Sequence, residues 1–286
     1  MTITPKTKLF AVLGHPIKHS LSPLMHNAAI QAMRMDAVYL AFDVLPERLM
    51  HTLSIMSELG FLGINLTIPL KEVAFRGISN LDESAKILGS VNTVKVSSGN
   101  LYGYSTDGIG FLHALKQDFD LSIKGLTVFV LGCGGAGRAV AITCAMAHVD
   151  RLLLGNRNIL KAQKVQAEIK SLHCTTTVEI VPSTKSSWTE ASLASDLVVH
   201  ATSRGMNGSS DPLLDVHAFH QGQYVYDLIY MFPETGLMRV ARKNGAQVAN
   251  GLSMLLFQGA LSFTIWTGSK LPVKVMRQVL EKAVYK

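Results

Sequence analysis

The sequence is short of cysteine, of charge and of long apolar runs, and each shortage removes a class of protein. Three cysteines in 286 residues (Cys133, Cys144 and Cys174) are an odd number without metal-ligand spacing. That argues against a disulfide scaffold and points to a reducing compartment, the cytoplasm. Charged residues make up only 16% of the chain, with no run of five like charges and no basic stripe interleaved with aromatics. A net charge of +7 spread this thinly favours small anions over a nucleic-acid backbone. At the N-terminus Leu9–Leu13 is too short for a signal peptide. The longest apolar stretch, Leu252–Trp266, contains Gln258 and is too short to span a bilayer, so a buried helix is predicted and no membrane partner. No solenoid repeat or low-complexity segment is present. What the chain has is 48% hydrophobic residues, enough for a large core, and a length that suggests two domains.

The most informative stretch is Leu126–Arg138, LTVFVLGCGGAGR. It reads as an apolar strand, a glycine turn and a helix start, with Gly132, Gly134 and Gly137 in G-x-G-x-x-G spacing. In that pattern the first glycine allows the tight turn. The second lets backbone approach a pyrophosphate, and the third lets the helix pack close to the strand. N–H groups at the helix start would hold the phosphates. The next strand, Arg151–Leu154, runs into Gly155-Asn156-Arg157-Asn158 with no carboxylate. An NAD site usually places Asp or Glu there for the ribose 2′-hydroxyl. Arg157 and Lys161 would instead bracket a 2′-phosphate, which favours NADP. An ordinary glycine connection and a solvated basic helix start are the plainer alternatives.

Strands are expected at Lys8–Leu13, Val38–Val44 and Gly63–Ile68, and helices at Pro23–Met33, Pro46–Leu59 and Asp82–Leu88. A hairpin is expected over Val91–Tyr104, then a helix from Ile109 to Asp118. This alternation argues for an α/β domain with a mainly parallel sheet, and ligands then sit beyond the strand ends. Ser22-Pro23 is a helix-start signal, with Ser22 as N-cap. Ser20 and Ser22, two apart in an extended segment, would point their hydroxyls the same way beside a positive helix end, a good carboxylate site. Asn65, Thr67 and Lys71 lie at or just past a strand end, where a lysine is a candidate for chemistry; a solvated lysine is the plainer reading. Asp107 is either a helix N-cap or a carboxylate at a domain boundary. His15, His19 and His26 lack a joining carboxylate or cysteine, and Pro16 breaks a helix that would align two of them, so no metal is expected. Further strands are read at Val178–Val181, Asp196–His200, Tyr224–Ile229 and Gln247–Ala249, and helices at Ile159–Leu172, Leu237–Asn244, Leu252–Thr267 and Pro272–Tyr285.

Taken in order, these segments resemble the shikimate dehydrogenase family, and the likeness runs almost the whole chain. Gly14–Pro23 is similar to its N-terminal substrate signature, and Asn65–Lys71 to the segment that carries its catalytic lysine. Val91-Asn92-Thr93 and Thr106-Asp107-Gly108 match two further substrate motifs. Gly132–Gly137, Asn156-Arg157, Ala201-Thr202-Ser203, Tyr226–Tyr230 and Gly251–Gln258 complete the series. The chain departs from the family pattern at Asn158 (usually Thr), Lys161 (commonly Arg), Asn250 and Ser253 (usually Asp and Gly) and Ser105 (commonly Asn).

The resemblance implies two α/β domains: a discontinuous substrate domain, 1–107 with 252–286, and a Rossmann-type NADP-binding domain, 108–251, with a deep cleft between them. It implies reversible hydride transfer between NADPH and the ring ketone of 3-dehydroshikimate, giving shikimate in chorismate biosynthesis. The substrate carboxylate would meet Ser20 and Ser22, and the ring hydroxyls Thr67, Lys71, Asn92, Asp107 and Gln258, with Tyr230 nearby. Lys71 and Asp107 would form the catalytic pair, assigned jointly because either proton state of the amine serves one direction of the reaction. The cofactor would lie against Gly132, Gly134, Gly135, Ala136, Gly137, Asn156, Arg157, Lys161, Thr202, Leu228 and Gly251. A quinate/shikimate dehydrogenase using NAD is the alternative within the class, and Ser22 rather than Thr leans toward shikimate. A silent dinucleotide sensor is disfavoured because it needs neither Lys71 nor Asp107. The resemblance leaves the chain a monomer or a homodimer.

Overall fold

A computed structural model describes residues 3–208 and 212–285 of the chain. The chain divides into two compact units, Met1–Gly110 with Leu255–Val284 and Phe111–Met254 with Tyr285. In the first unit the order is β1 (Lys8–Gly14), α1 (Ser22–Ala32), β2 (Ala37–Asp43), α2 (Leu49–Glu58), β3 (Phe61–Leu66), α3 (Lys71–Gly77) and β4 (Asn80–Leu81). Then come α4 (Glu83–Leu88), β5 (Thr93–Ser97), β6 (Asn100–Tyr104) and α5 (Asp107–Phe119), which continues into the second unit. The second unit holds β7 (Thr127–Leu131), α6 (Gly135–Met146), β8 (Arg151–Gly155), α7 (Ile159–Ser171), β9 (Thr177–Val181) and α8 (Lys185–Leu193). It continues with β10 (Leu197–His200), β11 (Tyr224–Asp227), α9 (Gly236–Lys243) and β12 (Gln247–Asn250). The chain closes on α10 (Leu252–Thr267), most of which belongs to the first unit, and α11 (Val273–Val284).

The first sheet is mixed, in the order β2-β1-β3-β5-β6-β4. β1 is parallel to β2 and β3, and β4 to β6; β5 runs antiparallel to β3 and β6. That reversal has a consequence for chemistry. It brings the start of β5 and the end of β6 to the same sheet edge as the ends of β1 and β3, since Asn65 pairs Thr93 and Thr93 pairs Tyr104. β1 is buried on both faces, as a central strand of a covered sheet must be. One face packs on α2 and α3 side chains such as Leu49, Leu53 and Ala74. Elsewhere Phe10 stacks on Trp266 of α10, whose indole N–H donates to the Val94 carbonyl at 2.9 Å.

The second sheet is entirely parallel, in the order β12-β11-β10-β7-β8-β9. This is the doubly wound arrangement: the chain steps from β7 through β8 to β9 on one side, then returns to place β10 on the other side of β7, so the ends of β7 and β10 flank the switch point. Its strands carry unbroken apolar runs, Val128–Leu131 and Leu197–Val199 being fully buried, because helices cover both faces. Among the described residues no helix is long and apolar enough to cross a membrane.

Three local expectations are corrected. Ser22 is the first helical residue of α1 rather than its N-cap; Leu21, itself in helical conformation, holds the cap position and makes no side-chain bond. The segment before it is a turn rather than extended, closed by Ser20 N–H to the Ile17 carbonyl at 2.9 Å. The helix expected over Pro46–Leu59 opens as a 3-10 turn, Pro46–Arg48, before α2 begins. Three elements absent from the sequence reading, α3, β4 and α8, are short or rich in Ser and Thr, so their periodicity is weak.

Candidate active site

In the first unit the loops at the convergent sheet edge carry a connected set of polar side chains. Lys71 opens α3 just past β3, and its Nζ lies 2.6 Å from Asp107 Oδ2. The Asp107 side chain is only 11% exposed and that of Lys71 27%, so water screens this pair less than a surface pair. The other carboxylate oxygen, Oδ1, accepts from Asn92 Nδ2 at 2.9 Å. Asn92 is 1% exposed; it also donates to Gln258 Oε1 at 3.2 Å, and its Oδ1 accepts from Thr106 N–H at 2.9 Å and Thr93 O–H at 2.9 Å. Lys71, Asp107, Asn92 and Gln258 are therefore brought into one network. Thr67 sits between β3 and α3, tied by its N–H to the Leu13 carbonyl at 2.9 Å.

Ser20 and Ser22 follow β1. Ser22 N–H donates to Ser20 Oγ at 3.3 Å, and the Ser22 hydroxyl is not engaged in capping its helix. Tyr39 of β2 connects this corner to the rest. Burial pushes its phenol well above the ordinary tyrosine range, against a smaller downward pull from a Ser22 hydrogen bond. It therefore stays a neutral donor, to Asn65 Oδ1 at 2.7 Å. Asn65 in turn donates to Ser262 Oγ at 2.9 Å, and Ser262 lies 2.7 Å from Thr93 Oγ1. The sequence assigns no site role to Tyr39 or Ser262, and it places Thr93 and Thr106 only inside two substrate motifs. For Ser262 the available signal is that it stands four residues after Gln258, on the same helix face. Ser105 is buried, and its hydroxyl has no hydrogen-bond partner.

The histidines separate. His15 pairs with Asp43 at 2.6 Å on the surface, which holds the Asp43 carboxyl below its ordinary value. His26 is fully buried, stacked on Tyr39 at 4.2 Å and flanked by Phe263 and Trp266, with both ring nitrogens unpartnered. Burial without a partner lowers it to about 3. Among the described residues no three His, Cys, Asp or Glu side chains gather as for a metal.

In the second unit the glycine turn follows β7. Gly132 has φ +113°, a conformation that side chains disfavour, and its N–H donates to the Gly155 carbonyl at 2.7 Å. A Cβ on Gly137 would overlap the Gly132 carbonyl oxygen, so only glycine lets α6 start this close to the strand. Gly134 caps α6 without a side chain, and open space lies where a Cβ on Gly134 or Gly135 would stand. The first-turn N–H groups, which include those of Gly135 and Ala136, lack intrahelical acceptors, as at any helix start, and suit an anion. Asn156 accepts from Cys133 N–H at 2.9 Å and so ties the turn to the end of β8. Burial pushes the Cys133 thiol up to about 12, leaving a small neutral side chain in the turn. Arg157, just before the cap of α7, and Lys161, in its first turn, are exposed, and no ion pair engages either among the described residues. Asn158 caps α7 by accepting from Leu160 N–H at 3.0 Å, a role Asn fills as well as Thr. Asn250 accepts from Leu252 N–H at 3.1 Å at the start of α10, and Ser253 bonds Asp118 at 2.7 Å. Gly251 N–H donates to the Ile229 carbonyl at 3.2 Å, Leu228 N–H to the His200 carbonyl at 2.9 Å, and Tyr230 is half-buried with its phenol raised by burial.

Comparison with known proteins gives a consistent result. The family model for the shikimate dehydrogenase substrate binding domain matches residues 12–94, and that for the shikimate 5'-dehydrogenase C-terminal domain matches 251–281. A shikimate dehydrogenase (NADP(+)) of Methanopyrus kandleri is 39% identical over 282 residues, 98% of this chain and 97% of the relative. The structure of shikimate 5-dehydrogenase from Listeria monocytogenes in complex with shikimate and NAD has a TM-score of 0.92 at 31% identity, covering 98% of each chain. That of shikimate 5-dehydrogenase from Thermus thermophilus in complex with NADP(H) and shikimate has a TM-score of 0.86 at 36% identity, covering 96% of this chain and 99% of that one. On full-length identity, shared architecture and matched models, the chain belongs to the shikimate dehydrogenase family.

Proposed function

We infer that this chain is an NADP-dependent shikimate dehydrogenase, interconverting 3-dehydroshikimate and shikimate. One observation carries the reading within the family. An ammonium and a carboxylate 2.6 Å apart, held by a buried amide, form the acid–base pair that carbonyl reduction requires.

The first unit is the substrate domain in this reading, and the second holds the dinucleotide. When bound, NADPH supplies the hydride and NADP accepts it in reverse. Lys71 stabilises the charge that develops on the substrate oxygen and exchanges a proton with it. Asp107 keeps the lysine aimed, and Asn92 keeps Asp107 from rotating away by occupying its second oxygen. Proton transfer belongs to the pair jointly. Ser20 and Ser22 take the substrate carboxylate, and Ser22 is not used to cap its helix, which supports that role. Thr67, Asn92 and Gln258 face the ring hydroxyls, and Tyr230 completes the substrate set. The glycine turn with Gly135 and Ala136 takes the pyrophosphate, with Asn156, Thr202, Leu228 and Gly251 lining the same cradle. The cytoplasm is the assigned compartment, supported by three free thiols.

The test is absorbance of reduced cofactor with shikimate or quinate, each with NADP or NAD. Rapid NADPH formation from shikimate supports the assignment. Faster turnover of quinate with NAD transfers it to the quinate/shikimate branch, and silence on both acids despite tight NADPH binding would make the chain a sensor. Arg157→Ala bears on the cofactor directly. With a bidentate cation removed, KM for NADP is expected to rise about tenfold while KM for NAD stays constant. Equal changes for both would remove Arg157 from the 2′-phosphate.

A further inference from the structure

β10 ends at His200, beside the switch point of the parallel sheet. The ring is 2% exposed and bridges two groups. Nδ1 lies 2.9 Å from Asp227 Oδ1, and Nε2 lies 2.6 Å from Thr202 Oγ1. Asp227, fully buried, also accepts from Ile229 N–H at 3.0 Å and from Thr235 O–H at 2.7 Å. A carboxylate only accepts, so Nδ1 donates to it; in the neutral ring Nε2 then accepts the Thr202 hydroxyl proton. The Thr202 oxygen accepts in turn from Arg204 N–H at 3.1 Å. The Thr202 hydroxyl is thus occupied on both sides within its own loop.

That loop is the wall on which the glycine turn rests. A Cβ on Gly132 would fall 2.6 Å from the Ala201 carbonyl carbon and 2.9 Å from Thr202 N, and one on Gly137 would fall 3.0 Å from Ala201 Cβ. On the other arm, a Cβ on Gly251 would overlap the Leu228 carbonyl oxygen, just after Asp227. One buried carboxylate therefore anchors two of the loops that pack against cradle glycines, and the imidazole transmits that anchoring to the 201–204 loop.

We propose that His200 is a positioning residue for the dinucleotide cradle, holding the 201–204 loop against the glycine turn through Thr202. The proposal rests on the reading of the second unit as the NADP-holding one. His200→Asn keeps an amide where Nδ1 stands, so Asp227 retains its donor, and deletes only the arm to Thr202. Thr202→Val removes the same hydrogen bond from the other side. In ligand-free protein, amide exchange over residues 132–138 is expected to accelerate about tenfold in either variant. KM for NADPH should rise about tenfold in His200→Asn, with kcat and KM for shikimate within about twofold of the parent. The double variant should be no worse than the worse single, because both remove one interaction. Unchanged exchange over 132–138, effects that add in the double variant, or an equal shift in KM for shikimate would overturn the proposal. Should His200→Asn fail to fold, exchange in Thr202→Val decides. If the parent protein does not turn over NADPH at all, the functional reading fails, while the exchange measurement still judges His200.

Discussion

Lys71→Ala is expected to lower kcat by about three orders of magnitude while KM for shikimate moves less than about threefold. The lysine is the one ammonium the structure places against Asp107 among the described residues, and Asn92 holds the carboxylate in place from its other oxygen. Its loss removes the donor for the developing alkoxide but leaves Asn92, Gln258 and the two serines to bind the ground state. Asp107→Asn should fall by a comparable factor, because an amide neither accepts the lysine proton nor holds the ammonium. The double variant should lose little more than the worse single, since the two side chains act as one unit. KM for NADP is the control for folding and should stay unchanged. Equal losses in kcat and in shikimate affinity would reduce Lys71 to a binding residue, and additive losses would separate it from Asp107.

The second large effect concerns acid stability. His26 lies between Tyr39, Phe263 and Trp266 with no acceptor for its N–H. In the unfolded chain it takes up a proton near pH 6.5; folded, burial lowers that to about 3. Between these values the unfolded state binds a proton that the folded state refuses. Stability is therefore complete above the unfolded value and declines as pH falls from 6.5 toward 3. At pH 5 the loss from this one group is about 2 kcal/mol, against about 0.2 kcal/mol at pH 7. His26→Phe removes it. The packing change acts equally at both pH values, and a buried N–H without a partner disappears, which by itself favours the variant. Urea unfolding at pH 7 and pH 5 should show the variant gaining about 2 kcal/mol on the parent between the two conditions. Parallel declines in the two proteins would mean that His26 is protonated in the folded state or exchanges with water there.

The sequence exposed some of this and hid the rest for identifiable reasons. The glycine turn was readable because its requirements are local: a positive φ at Gly132 and contact between Gly137 and Gly132 involve residues five apart. The missing carboxylate after β8 was readable for the same reason. Ser22 misled because a capping serine must itself lie outside the helix with non-helical backbone, and here Ser22 is already the first residue of α1 while Leu21 holds the cap position. His26 looked like one of three scattered histidines; nothing adjacent in sequence announces that rings from β2 and α10 close around it. Ser262 and Asn65 are 197 residues apart, and His200 and Asp227 are 27 apart on neighbouring strands. Such pairs have no local signature.

The sequence by itself determined the alternation of strands and helices, the dinucleotide turn and the identity of the residues able to carry chemistry, since periodicity and glycine geometry act over a few residues. The tertiary structure decided which of those residues meet. β5 runs against β3 and β6, and this reversal sets Lys71, Asn92 and Asp107 on one sheet edge; parallel crossovers likewise put His200 beside Asp227. Those neighbours are fixed by strand order and direction, which follow from packing the whole core and are not encoded in any short stretch of chain.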